Sequence, residues 1–286
     1  MKRSVYILFV IAMGLAGAVL RGLSIVNGME PANGLPIAGD VPAMALKLAC
    51  AAGIILSIVL SRSSYRMPKG TSYEQLMGKM GHAARVVCMV CGAAMAVIGV
   101  AALVNLGGMV AEETSEYHPF GVAALVALAA QWILCVVSGV TLLLFARRQD
   151  GYAATKRQGV FVCLPMFWAC LSLIMTYHEN SSNPVMQDYA YDLLLIIAVM
   201  AAFYYIAGLF FAEPHPVCIA LFSGLSVFLM LTCDGGMLLA ACMNRTMAEW
   251  VLTAPLADLF RMAACLFATV YLLVQLTQFG QTTETA

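Results

Sequence analysis

Eight times along the chain there is a run of about 20 mostly apolar residues, the length an α-helix needs to cross about 30 Å of hydrocarbon. The runs lie over Val5–Val26, Val41–Ser61, Ala83–Asn105, Phe120–Ala146, Gly159–Tyr177, Tyr189–Ala212, Val217–Cys242 and Val251–Gln275. Inside lipid, backbone N–H and C=O groups have no water to bond, so apolar segments of this length satisfy them internally as helices. Composition agrees. Of 286 residues, 62% are hydrophobic and 10% charged, and the mean hydropathy of +0.89 lies outside the range of ordinary soluble domains. The expected fold is all-α: a polytopic transmembrane bundle of about eight spans, forming a single integral membrane domain over residues 1–286.

The position of charge gives the expected direction. Fifteen basic and fifteen acidic residues cancel, so net charge points to no nucleic acid. Lys2 and Arg3 precede the first run; Arg62, Arg66, Lys69 and Lys79 follow the second; Arg147, Arg148, Lys156 and Arg157 follow the fourth. The alternate connections hold only Arg245, and carry Glu112, Glu113 and Glu116. Because cytoplasmic loops retain lysine and arginine during insertion, both termini are expected in the cytoplasm. Residues 62–82 then form a cytoplasmic loop, where Ser72 and Gln75 make a capping-box pattern that predicts a short surface helix from near Tyr73. An alternative reading takes Lys2, Arg3 and the following apolar run as a signal peptide with Ala16-Gly17-Ala18 as its small-residue site, which would leave seven spans.

Ionisable groups within spans are costly, about 2.5–3.5 kcal/mol each at the centre on insertion scales, so their placement carries information. Arg21, Lys47, Asp192, Asp234, Asp258 and Arg261 all fall in the external half of their spans; the internal half has chiefly Arg85, with His82 at its boundary. These six are the candidate ligand-binding residues. At 1.5 Å per residue, Asp234 is expected roughly 12 Å and Arg21 roughly 8 Å below the outer surface, within reach of each other. Asp258 and Arg261 share a helix face and are placed to close a network with Lys47 or Asp192. Asp234 is followed by Gly235 and Gly236, a pair that can interrupt a helix and expose backbone groups to a solute. Pro165 should bend the fifth span near Trp168.

Other signals read as packing. All ten cysteines lie in or beside apolar runs, so no disulfide framework is expected, and Cys88-x-x-Cys91 places two thiols on one helix face without further ligands nearby. Gln131 reads as a helix-to-helix hydrogen bond, and His178 and His215 as turn residues. No metal or cofactor is expected.

Tyr191-Asp192 in the sixth run and Asp234 in the seventh resemble the paired motifs of presenilin-type intramembrane aspartyl proteases. The resemblance implies two carboxylates sharing a proton to activate water. Leu231 and Cys233 stand where that motif has glycines, and Ala254-Pro255-Leu256 differs from its proline-containing partner sequence. The segment FWACLSLIMTYHENSSNPVMQDYAYDLL, from Phe167 to Leu195, resembles uncharacterised polytopic membrane proteins of anaerobic bacteria, which implies a bacterial plasma membrane and no particular activity.

The function expected is a small-solute transporter, or a solute-binding membrane component, with a polar pocket on the external side. A non-catalytic membrane subunit or structural membrane protein, its charges only fastening helices, is the alternative. A protease using Asp192 and Asp234 is third. The expected partners are the lipid bilayer with a small-molecule solute or other membrane subunits.

Overall fold

The computed structural model describes residues 3–28, 37, 39–65, 80–113, 122–147, 156–181, 186–211, 214–244 and 255–279. These residues are all-helical, without a strand. They form α1 (Arg3–Asn27), α2 (Val41–Ser64), α3 (His82–Val104), α4 (Leu106–Glu113), α5 (Val122–Arg147), α6 (Lys156–Val162), α7 (Leu164–Glu179) and α8 (Met186–Gly208). After α8 come a 3-10 turn (Leu209–Phe211), α9 (Pro216–Met230), a π-helical turn (Leu231–Gly235), α10 (Gly236–Met243) and α11 (Leu256–Gln278). Among the described residues, eight helical segments are long and apolar enough to cross a membrane: α1, α2, α3, α5, Gly159–Glu179, Tyr189–Phe211, Pro216–Met243 and α11. Apolar side chains such as Leu8, Leu48, Ile55, Val97, Val126 and Leu238 are exposed, as the outer surface of an integral membrane protein requires.

Local chemistry sets the segment boundaries. Asp40 caps α2 by accepting from the Ala43 N–H at 2.9 Å, and Pro42 occupies the first turn, where its missing N–H costs nothing. At the end of α3 the Asn105 side chain donates to the Ala101 carbonyl at 2.8 Å, and α4 follows directly. Glu112 and Glu113 lie in the connection between the third and fourth spans, as expected, on this short helix, and Glu116 lies outside the described residues. The fifth span is two helices, α6 and α7, separated at Cys163 just before Pro165, which cannot donate to the preceding turn. The surface helix expected near Tyr73 lies outside the described residues.

The span formed by α9, the π turn and α10 is the most buried of the eight, packed by α1, α2, α8 and α11. The remaining order is a ring: α11 packs on α3, α3 on α5, α5 on α7, α7 on α8, and α8 back on α11. Lipid gives helices little hydrophobic reason to associate, so close backbone approach through small residues matters. A Cβ on Gly92 would come 2.5 Å from the Leu143 backbone nitrogen of α5, and one on Gly99 would come 2.8 Å from that of Val136. Gly14, Gly17 and Gly22 of α1 likewise make room for Leu231, Thr232 and Leu239. At the opposite end from Asp234 and Arg261, Tyr6 donates to the Ala220 carbonyl at 3.0 Å and meets Tyr65 edge-on at 5.7 Å, tying α1 to α9 and the end of α2.

Candidate functional site

Asp234 lies inside the π turn, where one extra residue per turn shifts the helix register; such turns occur often at functional sites. The reason is steric. Thr232 fills the space opened by Gly17, its hydroxyl bonding back to the Phe228 carbonyl at 2.9 Å, and the Arg21 stem lies against Gly236, where a Cβ would come within 2.6 Å of it. Gly235 and Gly236 retain right-handed helical angles, near −61°, −39° and −65°, −42°. The expected interruption therefore takes the form of a register shift over Leu231–Gly235, with the glycines providing close approach to α1.

Asp234 is 9% exposed, and the charged neighbour that acts on it among the described residues is another carboxylate, Asp192 of α8. Asp192 also accepts a hydrogen bond from the Cys233 thiol and is acted on by Arg21, Asp258 and Arg261. The Arg21 guanidinium lies 5.1 Å from the centre of the Tyr191 ring, a cation–π contact joining α1 to α8. Cys265 of α11 completes the enclosure, within electrostatic reach of Asp234, Asp192 and Arg261. Two acids and one arginine are thus brought together from α1, α8 and the π turn.

The second basic group keeps one expected partner and gains another. Arg261 donates from its two terminal nitrogens, Nη1 to Asp258 and Nη2 to Glu179, each at 2.8 Å, and its own side chain is 6% exposed. The Asp258 contact is the expected one along α11; the Glu179 contact fastens α11 to the end of α7. Glu179 was missed because it ends a span and reads in sequence as part of the HENSSNP turn. Lys47 is exposed on α2 and is not among the groups acting on Asp192, Asp234 or Arg261. Glu179 therefore joins the group, while Lys47 stands apart from it.

The other singled-out residues have ordinary packing surroundings. Cys88 and Cys91 are buried, and Gln275 of α11 donates to the Cys88 sulfur at 3.8 Å. Among the described residues, no grouping of three or more His, Cys, Asp and Glu is arranged to hold a metal ion. His215 precedes α9 and meets Tyr205 edge-on at 5.8 Å, while His178 lies exposed in the last turn of α7. Gln131 does make a helix-to-helix hydrogen bond, donating to Ser172 at 3.1 Å. No protein-family model, curated protein or solved structure matches this chain, so its geometry carries the functional reading.

Proposed function

We propose that this membrane protein is a small-solute transporter or solute-binding component whose working groups are Arg21, Asp192 and Asp234. The observation that carries the reading is the Asp192–Asp234 pair: two carboxylates on neighbouring spans, one of them in a π turn, where the charged neighbour acting on it among the described residues is the other acid. A charge retained only to lock helices together gains from an opposite charge beside it, as Arg261 has in Glu179. For Asp234 the charged neighbour among the described residues has the same sign. Like charges buried side by side attract a positive group, either a proton or the cationic part of a solute. Arg21 adds a donor for an acceptor atom of the same solute, and the lysine and arginine distribution assigns this end of the bundle to the exterior.

Purified protein in liposomes, offered a panel of labelled amines, amino acids, sugars and small carboxylates, should take up or bind at least one in a saturable way. No uptake and no binding across the panel by folded protein would remove this reading and favour a subunit whose charges only fasten helices.

The same adjacency favours a second reading, peptide-bond hydrolysis, in which one carboxylate accepts a proton from water while the other polarises the carbonyl. That reading predicts cleavage of a transmembrane-helix peptide, lost in both Asp192→Asn and Asp234→Asn. An intact peptide after prolonged incubation with folded wild-type protein excludes it.

A further inference from the structure

Three carboxylates at the Asp234 end of the bundle are stepped in depth and in exposure. The Asp258 side chain of α11 is 43% exposed, Asp192 of α8 is half-buried, and Asp234 of the π turn is 9% exposed. At 1.5 Å per residue they lie about 3, 9 and 14 Å inside the helix ends on that side. Accessible surface therefore persists at each step, down to the deepest acid. Asp192 is the hub of the group: Arg21, Asp258 and Arg261 act on it, Cys233 donates to it, and it acts in turn on Asp234. Cys265 of α11 lies within electrostatic reach of both acids, and Cys50 of α2 within reach of Cys233. Of the two cations facing the pair, Arg261 is already held by Glu179 and Asp258.

Counted together, Arg21, Asp192 and Asp234 carry one excess negative charge, where an unbalanced charge is costly. Among the described residues the Asp234 carboxylate accepts no hydrogen bond, so an acceptor nine-tenths buried is left for a group from outside the chain. We infer that the Asp192–Asp234 pair holds one positive charge at a time, a proton or the ammonium head of a primary alkylamine, and exchanges one for the other. This rests on the reading of the site as solute-binding and names the class of its solute.

Charge and donor count select that class. One monovalent cation neutralises the three residues, whereas a zwitterion leaves the excess and a divalent ion reverses it. No grouping of three or more His, Cys, Asp and Glu among the described residues is arranged for a metal ion, which favours an organic cation. A primary ammonium brings three N–H donors to two carboxylates. A quaternary ammonium brings none and binds through aromatic faces, and the Tyr191 face is covered by the Arg21 guanidinium. Two carboxylates side by side do not both ionise without a cation, so the pair without solute keeps one proton. As the ammonium enters, that proton leaves to solvent, and the charge of the site is unchanged.

Ethylammonium, tetramethylammonium, glycine, acetate and glucose would be titrated calorimetrically into the protein in lipid nanodiscs. Two buffers of different ionisation enthalpy report protons released, at about pH 5.5 and about pH 7.5, below the ordinary thiol range. Ethylammonium should bind saturably, release up to one proton, and bind up to about 10-fold more tightly per pH unit gained, because proton and ammonium compete. Tetramethylammonium should bind more weakly. Asp234→Asn leaves Asp192 balanced by Arg21 and should weaken ethylammonium at least about 10-fold and abolish the proton release. Asp192→Asn should do the same, and circular dichroism shows which variant is folded. Saturable binding of glycine, acetate or glucose without ethylammonium would overturn the inference and leave the solute-binding reading standing. Ethylammonium bound with no proton release, or no more tightly than tetramethylammonium, would also overturn it. Folded protein that binds none of the five probes would count against both.

Discussion

Two buried charges at the same end of the bundle are held in opposite ways. Arg261 is 5% exposed and satisfied by two carboxylates, whereas Asp234 is 9% exposed and faces a third. Removing Arg261 strands Glu179, whose side chain is only 11% exposed, so Arg261→Gln should cost about 3–5 kcal/mol of stability, read by thermal or denaturant unfolding in detergent. Asp258 is far more open, at 43%, and Asp258→Asn should cost under about 1 kcal/mol. Equal losses in the two variants would show that the triad acts as one unit. The sequence displayed most of these residues because ionisable groups stand out in apolar runs, but it could not assign partners. Rotation about each helix axis decides that Arg21 lies over Tyr191 and that Lys47 is exposed, and span depth alone carries no information on rotation.

Among the helices, the α3–α5 crossing and the fit of α1 against the π turn depend on absent side chains. Gly139→Ala would drive its Cβ into the backbone of Gly92 and Ala96, where nothing can rotate away, and should cost about 1–3 kcal/mol as overpacking. Gly108→Ala, in α4 with nothing within 4 Å of the new Cβ, should be neutral or slightly stabilising, by up to about 1 kcal/mol. Thermal unfolding of the two variants side by side checks the contrast, and similar losses would argue against backbone proximity at the crossing. The spans were legible because length and apolarity suffice to define them. The π turn was not, because it goes with the fit of Thr232 and Gly236 against Gly17 and Arg21 of α1, a tertiary effect. The same holds for the Gln131–Ser172 hydrogen bond. Those two residues are far apart in sequence, each with an unremarkable polar side chain, and only the packing of α5 on α7 brings them together.

For the whole molecule, eight spans enclose a polar centre near one end, and the proposal requires that this end face outward. Single cysteines near Glu113 and Asn180, in an otherwise cysteine-free variant, should react with membrane-impermeant thiol reagents from outside, and those near Lys69 and Arg148 should not. The reverse pattern would turn the site toward the cytoplasm. The central claim is that Asp234 is retained for function, and one variant separates the two roles a buried carboxylate can have. Asp234→Asn preserves shape and removes charge, so its solute handling and its unfolding should be measured on the same reconstituted protein. With Asp192 as the charged neighbour, neutralisation relieves a repulsion, and unfolding stability should hold or rise while saturable solute uptake or binding is lost. A stability loss on the order of 3–5 kcal/mol with solute handling intact would mean that Asp234 only fastens helices, and would contradict the account.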